Sequence, residues 1–551
     1  MLPKSKNLEP PINPINGESI FQAYLNKGEK LKKKKIPIGE QDFESLINNG
    51  SFYLDKTKKI YELLESNVKY NFMSRPRRFS KSLMLSVIKY LFLGKKELFN
   101  NLFIYDKWKF DRYPVLYLSF AGYSKEKDLK EYIKKFGNIY LDNDEMTIED
   151  FQYFDLGLII KAIRQKTGKT VVVLIDEYDK PILVHLKDIY EAEKIRNFFS
   201  GFYASVKDSS ANIRFFFITG LTKLMKMNIF SVLNNLDDIS FEEEYSDLIG
   251  YTQKEVENNF SFELQEIAQK YNTEYNFFLE KIKNKYNGYN FGNNNLLYNP
   301  WDINNLIKKK KIKNYWADTG IPGSISDFIQ ENPFDIQDII SKIRASELIL
   351  KEMDLRVHNL NNLRPEVLFF NSGYLTFTEN ETDYYYLRFP NQETEEVMTD
   401  YFLNLSLKRK YNISDWKKVS EKLVKGVLDK NDELIKISIK ELIYNILSNI
   451  SYDWINKNPE GWLKTMVGIA MKMNNIFYVA ENQNIMGRTD LHVSINDCFY
   501  ILEIKVDDNA HNCIKQIEEQ YEPAYQDKFK KIVKIGINWN RKRKEIDAIV
   551  C

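Results

Sequence analysis

Cysteine and histidine are scarce in this sequence. Its 551 residues include three cysteines, Cys498, Cys513 and Cys551, and four histidines. Three cysteines are too few for a disulfide framework, and their spacing is not that of metal ligands. Four scattered histidines also exclude a histidine-rich metal centre. The sequence is therefore not that of a disulfide-stabilised protein or of a histidine-rich metalloprotein.

Long apolar runs and a surplus of either charge are also missing. No apolar run approaches the ~20 residues that a membrane helix requires, and the N-terminus lacks the apolar core of a signal peptide. We therefore predict a cytoplasmic protein with no membrane partner. The 79 basic and 77 acidic side chains leave a net charge of +2. This balance argues against a general affinity for nucleic acid, so any such binding must come from local basic patches.

The length and composition are those of a globular protein with several domains. Hydrophobic residues make up 43% of the chain and charged residues 28%, which is ordinary for a globular protein. At ~150 residues per domain, the chain predicts three or four units, each able to bury a core. Residues 1–35 are polar, contain prolines and turn basic at Lys32–Lys35, which predicts a disordered leader. Its lysines could contact phosphate, but we favour a solvated tail.

A hydrophobic segment, a basic turn and an apolar helix follow one another around residue 80. Val68–Met73 predicts a buried strand, and Lys81-Ser82 opens a predicted helix that runs to Leu93. This order is typical of a phosphate-binding loop, in which backbone N–H groups and a lysine surround the phosphates and the serine hydroxyl binds Mg²⁺. Such loops carry glycine where this chain has Arg75 and Ser80. The motif alone is thus also compatible with a capped amphipathic helix.

A second motif ends an apolar run about a hundred residues later. Val171–Ile175 is entirely apolar, which indicates a strand buried on both faces, and parallel sheets carry their chemistry at the carboxyl ends of their strands. Asp176 can therefore hold Mg²⁺, and Glu177 can polarise the attacking water. Strands alternate with predicted helices, among them Lys125–Leu141 and Phe154–Gln165. This alternation predicts an α/β fold with a doubly wound, mostly parallel sheet.

Carboxylates and a lysine recur on two neighbouring strands near the C-terminus. Asp490 begins the strand that continues as Leu491–Ile495, and Cys498–Lys505 follows after a short turn. Because strand side chains alternate between faces, Glu503 and Lys505 point the same way, and the hairpin brings Asp490 close to Glu503. The carboxylates offer hard oxygen ligands for Mg²⁺ or Mn²⁺, and Lys505 can orient or deprotonate a water. A solvated ion pair between Glu503 and Lys505 is the alternative interpretation.

A basic run with aromatic neighbours lies in the middle of the chain. Lys308–Lys311 and Lys313 are flanked by Trp301 and by Tyr315-Trp316. Basic residues beside aromatic rings can bind single-stranded nucleic acid. A solvated helix end beside core aromatic residues is an equally good interpretation.

These motifs and several others resemble those of one protein family. The matching segments are Arg75–Ser82, Leu174–Asp179, Phe217–Thr222, Ile36–Gly39, Tyr53–Thr57, Tyr286–Tyr289, Tyr298–Trp301, Tyr315–Gly320, Ser372–Thr376, Gly487–Asp490 and Glu503–Lys505. Their order over residues 36–545 resembles that of AAA-ATPase-like proteins with a C-terminal PD-(D/E)XK nuclease-type domain. Members of this family usually have glycine before the lysine of the phosphate loop, where this chain has Ser80.

The resemblance implies roles for particular residues. Lys81 would contact the β- and γ-phosphates of ATP, Ser82 and Asp176 would hold Mg²⁺, and Glu177 would act as the catalytic base. Thr219 would sense the γ-phosphate, although a threonine there can also cap the following turn. At the ATP site, the resemblance also implies contacts from Arg75, Arg77, Arg78 and Ser80. For the nuclease-type reaction, it implies Asp490, Glu503 and Lys505 as catalytic residues. Glu460 would lie beside the metal, and Gln516 would lie behind the site.

The resemblance also implies a domain organisation and a function. After the leader at 1–35, it predicts a P-loop NTPase domain at 36–250, a helical lid at 251–330, a connector with a hairpin and helices at 331–450, and a restriction-endonuclease-like α/β domain at 451–551. We expect an enzyme in which ATP controls the Mg²⁺- or Mn²⁺-dependent cleavage of nucleic acid, DNA rather than RNA, in defence or mobile-element biology. A homo-oligomer is compatible with this function. The alternatives are a nucleotide-responsive switch that binds without cleaving, and a remodelling ATPase.

Overall fold

The protein consists of two compact units. A computed structural model describes residues 34–141, 145–152, 154–223, 235–292, 294–316, 348–351, 363–378, 384–406, 413–429, 431–447, 459–472, 478–484, 487–495, 498–525 and 531–551, and a few single residues between them. One unit comprises Met1–Ile182 and Glu193–Thr319, and the other comprises Leu183–Ala192 and Gly320–Cys551. None of the described helices has the length and apolar character needed to cross a membrane.

Strands and helices alternate through most of the described residues between 34 and 316. The strands are β1 Tyr70–Ser74, β2 Val115–Ser119, β3 Gly137–Tyr140, β4 Glu145–Thr147, β5 Val171–Asp176, β6 Ile213–Gly220, β7 Asp237–Asp238, β8 Tyr251–Thr252 and β9 Leu297–Tyr298. The α-helices are α1 Phe43–Asn48, α2 Thr57–Glu65, α3 Lys81–Phe92, α4 Leu129–Phe136, α5 Leu156–Thr167, α6 Lys180–Leu183, α7 Ile189–Phe202, α8 Gln253–Lys270, α9 Tyr275–Tyr286 and α10 Pro300–Lys309. Short 3-10 helices occupy Lys96–Phe99, Phe103–Asp106, Ile148–Asp150, Lys207–Asn212 and Glu243–Tyr245.

The remaining described residues form two further sheets with their helices. The strands are β10 Ile349–Lys351, β11 Thr376–Phe377, β12 Tyr384–Arg388, β13 Tyr478–Asn484, β14 Gly487–Ile495, β15 Cys498–Val506, β16 Lys531–Asn540 and β17 Glu545–Val550. The α-helices are α11 Pro365–Ser372, α12 Gln392–Ser406, α13 Ile413–Leu428, α14 Asp432–Leu447, α15 Pro459–Lys472 and α16 Ala510–Gln516. A π-helical turn, Ile517–Tyr521, and a 3-10 helix, Glu522–Ala524, follow α16.

In the large sheet, one strand separates the strand of the phosphate loop from the strand of the acidic motif. Its order is β4-β3-β2-β5-β6-β1-β7. The pairs β2–β5, β5–β6, β6–β1 and β1–β7 are parallel, and β3 and β4 add antiparallel pairs at one edge. Every residue of β1 and β5 is buried, as expected for parallel strands covered on both faces. The predicted doubly wound, mostly parallel sheet is confirmed, and β6 lies between β1 and β5.

The C-terminal sheet has the order β13-β14-β15-β16-β17. Its pairs are antiparallel except for β15–β16, whose parallel connection contains α16. Gly536 in β16 allows the helix to lie close to the sheet, because a Cβ there would lie 2.6 Å from the Ala510 carbonyl oxygen and 3.0 Å from Cys513 Cβ. Side chains of α13, α14 and α15 and of the sheet form one buried core, which includes Leu423, Ile439 and Leu463. The predicted second α/β domain is thus confirmed as a fold.

Two of the predicted helices end differently in the structure. The helix predicted over Lys125–Leu141 is shorter, since the Asp128 carboxylate accepts a hydrogen bond from Glu131 N and starts α4, which ends at Phe136. Gly137–Tyr140 instead pairs antiparallel with β2. Within the connector at 331–450, the sequence also predicts a helix over Ile336–Leu350; its end overlaps β10, and most of that segment lies outside the described residues. The predicted hairpin of the connector is present as β11 and β12, with β10 added beside β12.

Candidate functional site

The loop between β1 and α3 turns sharply before the helix begins. Arg78 and Ser80 both have φ of 65°, in the left-handed region that favours glycine. Ser80 is the N-cap of α3, and its side chain makes no capping hydrogen bond. The Ser80 carbonyl accepts the first helical bond from Met84 N at 2.9 Å. The N–H groups of the first turn of this helix of 12 residues, together with the helix dipole, favour the binding of an anion.

Lys81 lies inside this loop rather than in solvent. Its Nζ donates to the carbonyl oxygens of Arg75 and Pro76, each at 2.9 Å. Burial lowers the pKa of Lys81, while the nearby Glu177 and Asp176 carboxylates act in the opposite direction. The ammonium is thus held by loop carbonyls next to a pair of carboxylates. A phosphate group entering the loop would find a cation already in position.

Ser82 and Asp176 meet at the carboxyl end of β5. The serine hydroxyl donates to Asp176 Oδ2 at 2.5 Å, and Asp176 is 1% exposed. Burial, followed by the charge of Glu177, raises the pKa of Asp176 to about 6. A hydroxyl and a buried carboxylate in contact form a hard oxygen pair that suits Mg²⁺. The residues therefore fit the metal that the sequence implies.

Glu177 and Thr219 lie on the neighbouring strand ends. Glu177 has φ of 49° and lines the cleft beside the loop. Thr219 pairs with Met73 across β6 and β1 and is fully buried. Among the described residues, no hydrogen-bond partner is found for the Thr219 hydroxyl. A buried hydroxyl of this kind is uncommon in native structures and is available to a ligand.

Asp179 is a supporting residue that the sequence reasoning did not single out. Its carboxylate accepts hydrogen bonds from Leu221 N, from Thr222 N at 2.6 Å and from the Thr222 hydroxyl at 2.6 Å. Tyr178 adds a bond from its hydroxyl to the Thr222 carbonyl at 2.9 Å. Together they join the end of β5 to the end of β6. The signal was present in the second aspartate of Asp-Glu-Tyr-Asp, three residues after Asp176.

The structure corrects the prediction that Arg75 contacts phosphate. Its guanidinium is 1% exposed, donates to the carbonyls of Ser74, Ser240 and Tyr245, and lies 4.1 Å from the centre of the Phe291 ring. Burial lowers the pKa of Arg75 to about 9. These hydrogen bonds hold the Arg75 side chain inside the protein, where it supports the loop.

Arg77 and Arg78 do line the cleft. The cleft has a volume of about 460 Å³, and the two arginines share its wall with Ser80, Lys81 and Ser82. The Arg78 guanidinium lies 3.5 Å from the ring centre of Trp301, which also lines the cleft. Burial, with the charge of Arg77, lowers the pKa of Arg78. Residues 37, 39–41 and 52–54 also line the cleft.

Two of the three aromatic residues beside the basic run, Tyr315 and Trp316, are buried, whereas Trp301 is half-buried. Trp316 is fully buried and Tyr315 is 4% exposed. Trp301 Nε1 donates to the Tyr315 carbonyl at 3.1 Å. Tyr315 and Trp316 therefore present no free ring face to nucleic acid, and the structure supports their interpretation as core aromatic residues.

Glu503, Lys505 and Glu460 come together in the C-terminal unit. Glu503 is 1% exposed, and its Oε1 lies 3.0 Å from Lys505 Nζ. Glu460, at the start of α15, lies 4.0 Å from Lys505 Nζ and 3.0 Å from Lys464 Nζ. A buried carboxylate in contact with an ammonium is not the solvated ion pair of the alternative interpretation. The carboxylate oxygens fit a hard divalent cation.

The remaining residues predicted at this site are Asp490 and Gln516. Leu491 pairs with Leu502, so the backbone register puts Asp490 beside Glu503 on neighbouring strands; the Asp490 side chain lies outside the described part of the chain. Gln516 ends α16, and its amide donates to the Tyr521 hydroxyl at 2.6 Å. Within the described side chains, no three His, Cys, Asp or Glu residues form a metal-binding group.

The structure contains a loop of the nucleotide-binding type on a parallel sheet. It also contains a second site, with acidic residues and a lysine, on a mixed sheet. These features define a two-domain class of protein, and comparisons with known proteins identify its family. A model described as "Predicted AAA-ATPase" matches residues 37–230, and one described as "PD-(D/E)XK nuclease superfamily" matches residues 458–548. The chain is 30% identical over 537 residues to the "Uncharacterized protein in vnfD 5'region" of Azotobacter chroococcum mcd 1, covering 94% of this chain and 99% of that protein. No solved structure matches. The chain belongs to the family of predicted AAA-ATPases with a C-terminal PD-(D/E)XK nuclease superfamily domain.

Proposed function

We propose that the N-terminal unit binds and hydrolyses ATP and that the C-terminal unit cleaves nucleic acid. The observation that supports this most is the contact of Ser82 with Asp176, with Lys81 next to them, at the carboxyl edge of a parallel sheet. Catalytic groups of open α/β sheets lie at this edge. ATP and Mg²⁺ are the ligands at this site, and Mg²⁺ or Mn²⁺ is the ligand of the second.

At the first site, we assign the following roles. Lys81 contacts the β- and γ-phosphates, the loop amides from Arg77 to Ser80 surround them, and Ser82 and Asp176 hold Mg²⁺. Bound Mg²⁺ offsets the negative charge of the phosphates. Glu177 orients the attacking water and accepts its proton, and the buried Thr219 hydroxyl donates to the γ-phosphate from the strand between β1 and β5.

At the second site, Asp490 and Glu503 bind the metal and Lys505 acts on water. When bound, the metal offsets the charge that develops on the scissile phosphate. Lys505 orients or deprotonates the attacking water, and Glu460 holds the lysine from the start of α15. Gln516 supports the site through its helix. DNA is the proposed substrate, bound through local basic residues since the net charge of the chain is small.

Both activities belong to one protein, in which the nucleotide state of the N-terminal unit controls the cleavage of nucleic acid by the C-terminal unit. We propose a cytoplasmic role in defence or mobile-element biology, with which a homo-oligomer is compatible. The domain boundaries at residues 35, 250, 330 and 450 are part of this proposal.

One observation favours a second candidate function. Ser80 places a side chain in the cleft at a position where phosphate loops carry glycine, and its backbone is in the left-handed region. A side chain here crowds the approach of phosphate to the backbone. The second candidate is therefore a switch that binds nucleotide without efficient hydrolysis, and whose C-terminal domain binds nucleic acid without cleaving it.

A single set of assays separates these functions. Plasmid and single-stranded DNA are incubated with the full chain and Mg²⁺ or Mn²⁺, with and without ATP, and ATP turnover is followed in parallel. We expect Glu503→Gln to abolish cleavage and Lys81→Ala to abolish its dependence on ATP. Glu519→Gln is the matched control, since this carboxylate is 61% exposed and paired with Lys515 on the surface. Cleavage that survives Glu503→Gln rejects the assignment of cleavage to this site. No cleavage by the wild type, while ATP still binds, rejects the nuclease and favours the switch.

A further inference from the structure

The phosphate loop is anchored on a segment far along the chain in the same unit. The carbonyl oxygen of Arg77 accepts two side-chain hydrogen bonds, from Asn299 Nδ2 at 3.2 Å and from Trp316 Nε1 at 3.1 Å. Both donors are fully buried. These residues belong to the Tyr298–Trp301 and Tyr315–Gly320 motifs, for which the proposed reaction gives no role.

Aromatic contacts strengthen the same connection. Phe79, the next loop residue after Arg78, packs edge to face on Tyr289 with ring centres 4.8 Å apart. Tyr289 in turn packs on Trp316 at 6.3 Å. Phe79 is fully buried, so the loop side chain fills a pocket formed by this segment.

Asn299 performs two tasks with the two ends of its amide. Its Oδ1 accepts from Trp301 N at 2.9 Å and caps α10, while its Nδ2 reaches Arg77. The start of the helix and the loop are therefore fixed to one side chain. Trp301 then supports Arg78 through its ring.

The two donors fix the direction of one backbone amide. In a trans peptide the C=O of one residue and the N–H of the next point in opposite directions. Holding the Arg77 carbonyl towards Asn299 and Trp316 thus turns the Arg78 N–H away from them. A loop with glycine can find this orientation freely, but this loop holds Arg78 and Ser80 at φ of 65° without glycine and requires external support.

We propose that Asn299 and Trp316 are positioning residues for phosphate binding, because they hold the Arg77–Arg78 peptide in the orientation that presents its N–H to the ligand. This rests on the proposed binding of ATP by the loop. Neither residue acts on the reaction directly. Their effect is on affinity for the phosphates.

The test compares three variants by calorimetric titration with ATP·Mg²⁺ and with inorganic tripolyphosphate. Trp316→Phe removes the indole donor and keeps an aromatic ring, and Asn299→Ser removes the amide donor and keeps a residue that caps helices well. Trp108→Phe is the matched control, because its indole N–H donates to the Leu91 carbonyl at 3.3 Å, near the far end of α3. Loss of one such hydrogen bond corresponds to an affinity about five- to tenfold weaker.

We expect that loss of affinity in Trp316→Phe and in Asn299→Ser, for both ligands, with one site per chain retained, and no change in Trp108→Phe. Unchanged affinity in both Trp316→Phe and Asn299→Ser overturns the proposal. So does a fall in the number of sites at unchanged affinity, since that is a loss of folded protein and not of positioning. If the wild type binds neither ligand, the proposed ATP site is rejected, and the positioning role is rejected with it. The titration of the wild type alone distinguishes this outcome from the others.

Discussion

Individual residues in the phosphate loop carry tasks that glycine performs in other loops of this type. Arg78 and Ser80 stay in the left-handed region because their neighbours hold them there, at a cost of roughly 1 kcal/mol for each non-glycine residue. Arg78 is held by the Trp301 ring, whereas Ser80 makes no capping bond. Ser80 is thus the position where the strain has no visible compensation.

Ser80→Gly tests this strain. Glycine relieves the left-handed strain but loses more entropy on folding, so we expect the free energy of unfolding to change by less than ~1 kcal/mol. Removing the side chain from the cleft gives the phosphates closer access to the backbone, so ATP should bind at least as tightly and turn over faster. Titration with ATP and a turnover assay measure both.

The control for Ser80→Gly is Asn101→Gly. Asn101 is exposed, also has φ of 65° and lies outside the cleft, so the same backbone change there should leave ATP binding untouched. Binding that weakens tenfold or more in Ser80→Gly would contradict the expectation. It would mean that the serine contributes to the site.

The sequence allowed some of these residues to be predicted and not others. Lys81, Ser82 and Asp176 could be named because their types and spacing are tied to one chemistry. The inward turn of Arg75 could not, since it depends on carbonyls of residues 240 and 245, which only the folded chain brings near. The hydrogen bonds from Lys81 Nζ to two loop carbonyls could not be predicted from the sequence either.

Among the elements, strand identity was easier to predict than strand boundaries. The apolar run before Asp176 defined β5, while the β3 strand was hidden in a predicted helix. Ile133, Phe136 and Tyr140 have helical spacing, and only pairing with β2 makes Gly137–Tyr140 a strand. A tertiary contact thus decided the structure against the local pattern.

At the element scale, Gly220 is the last residue of β6 and lies against Tyr178 and Asp179, which follow β5. A Cβ on Gly220 would lie 2.5 Å from two carbons of the Tyr178 ring and 2.7 Å from Asp179 Oδ1. Tyr178 is buried and cannot move freely. We expect Gly220→Ala to lower the free energy of unfolding by about 1–3 kcal/mol and to weaken ATP binding, because the strand ends that carry Asp176 and Thr219 must separate.

Urea unfolding and ATP titration of the Gly220→Ala variant measure these effects. The matched control is Gly201→Ala in α7, where a Cβ would meet no heavy atom within 4 Å. Alanine is favoured over glycine in a helix by about 0.5–1 kcal/mol, so this variant should be as stable as the wild type or more so. Equal behaviour of the two variants would show that the β5–β6 junction tolerates a methyl group.

For the whole molecule, the two units have separate cores. One buried cluster extends from Phe43 to Leu297, and another from Val419 to Ala548. The composition predicted several units but not where one ends, because a boundary is a property of contacts across the chain. Separate cores indicate that each unit can respond on its own to a ligand that binds only to it.

Scanning calorimetry of the full chain tests this independence. We expect two transitions, of which one rises in temperature with ATP·Mg²⁺, because a ligand at 100 times its Kd stabilises the folded state by about 2.7 kcal/mol. Lys81→Ala should remove that rise. Ile439→Ala identifies the other transition, since deleting this fully buried side chain from the C-terminal core costs about 2–5 kcal/mol. A single transition that ATP shifts as a whole would instead mean that the units unfold together, so that ATP bound to the N-terminal unit also stabilises the C-terminal unit.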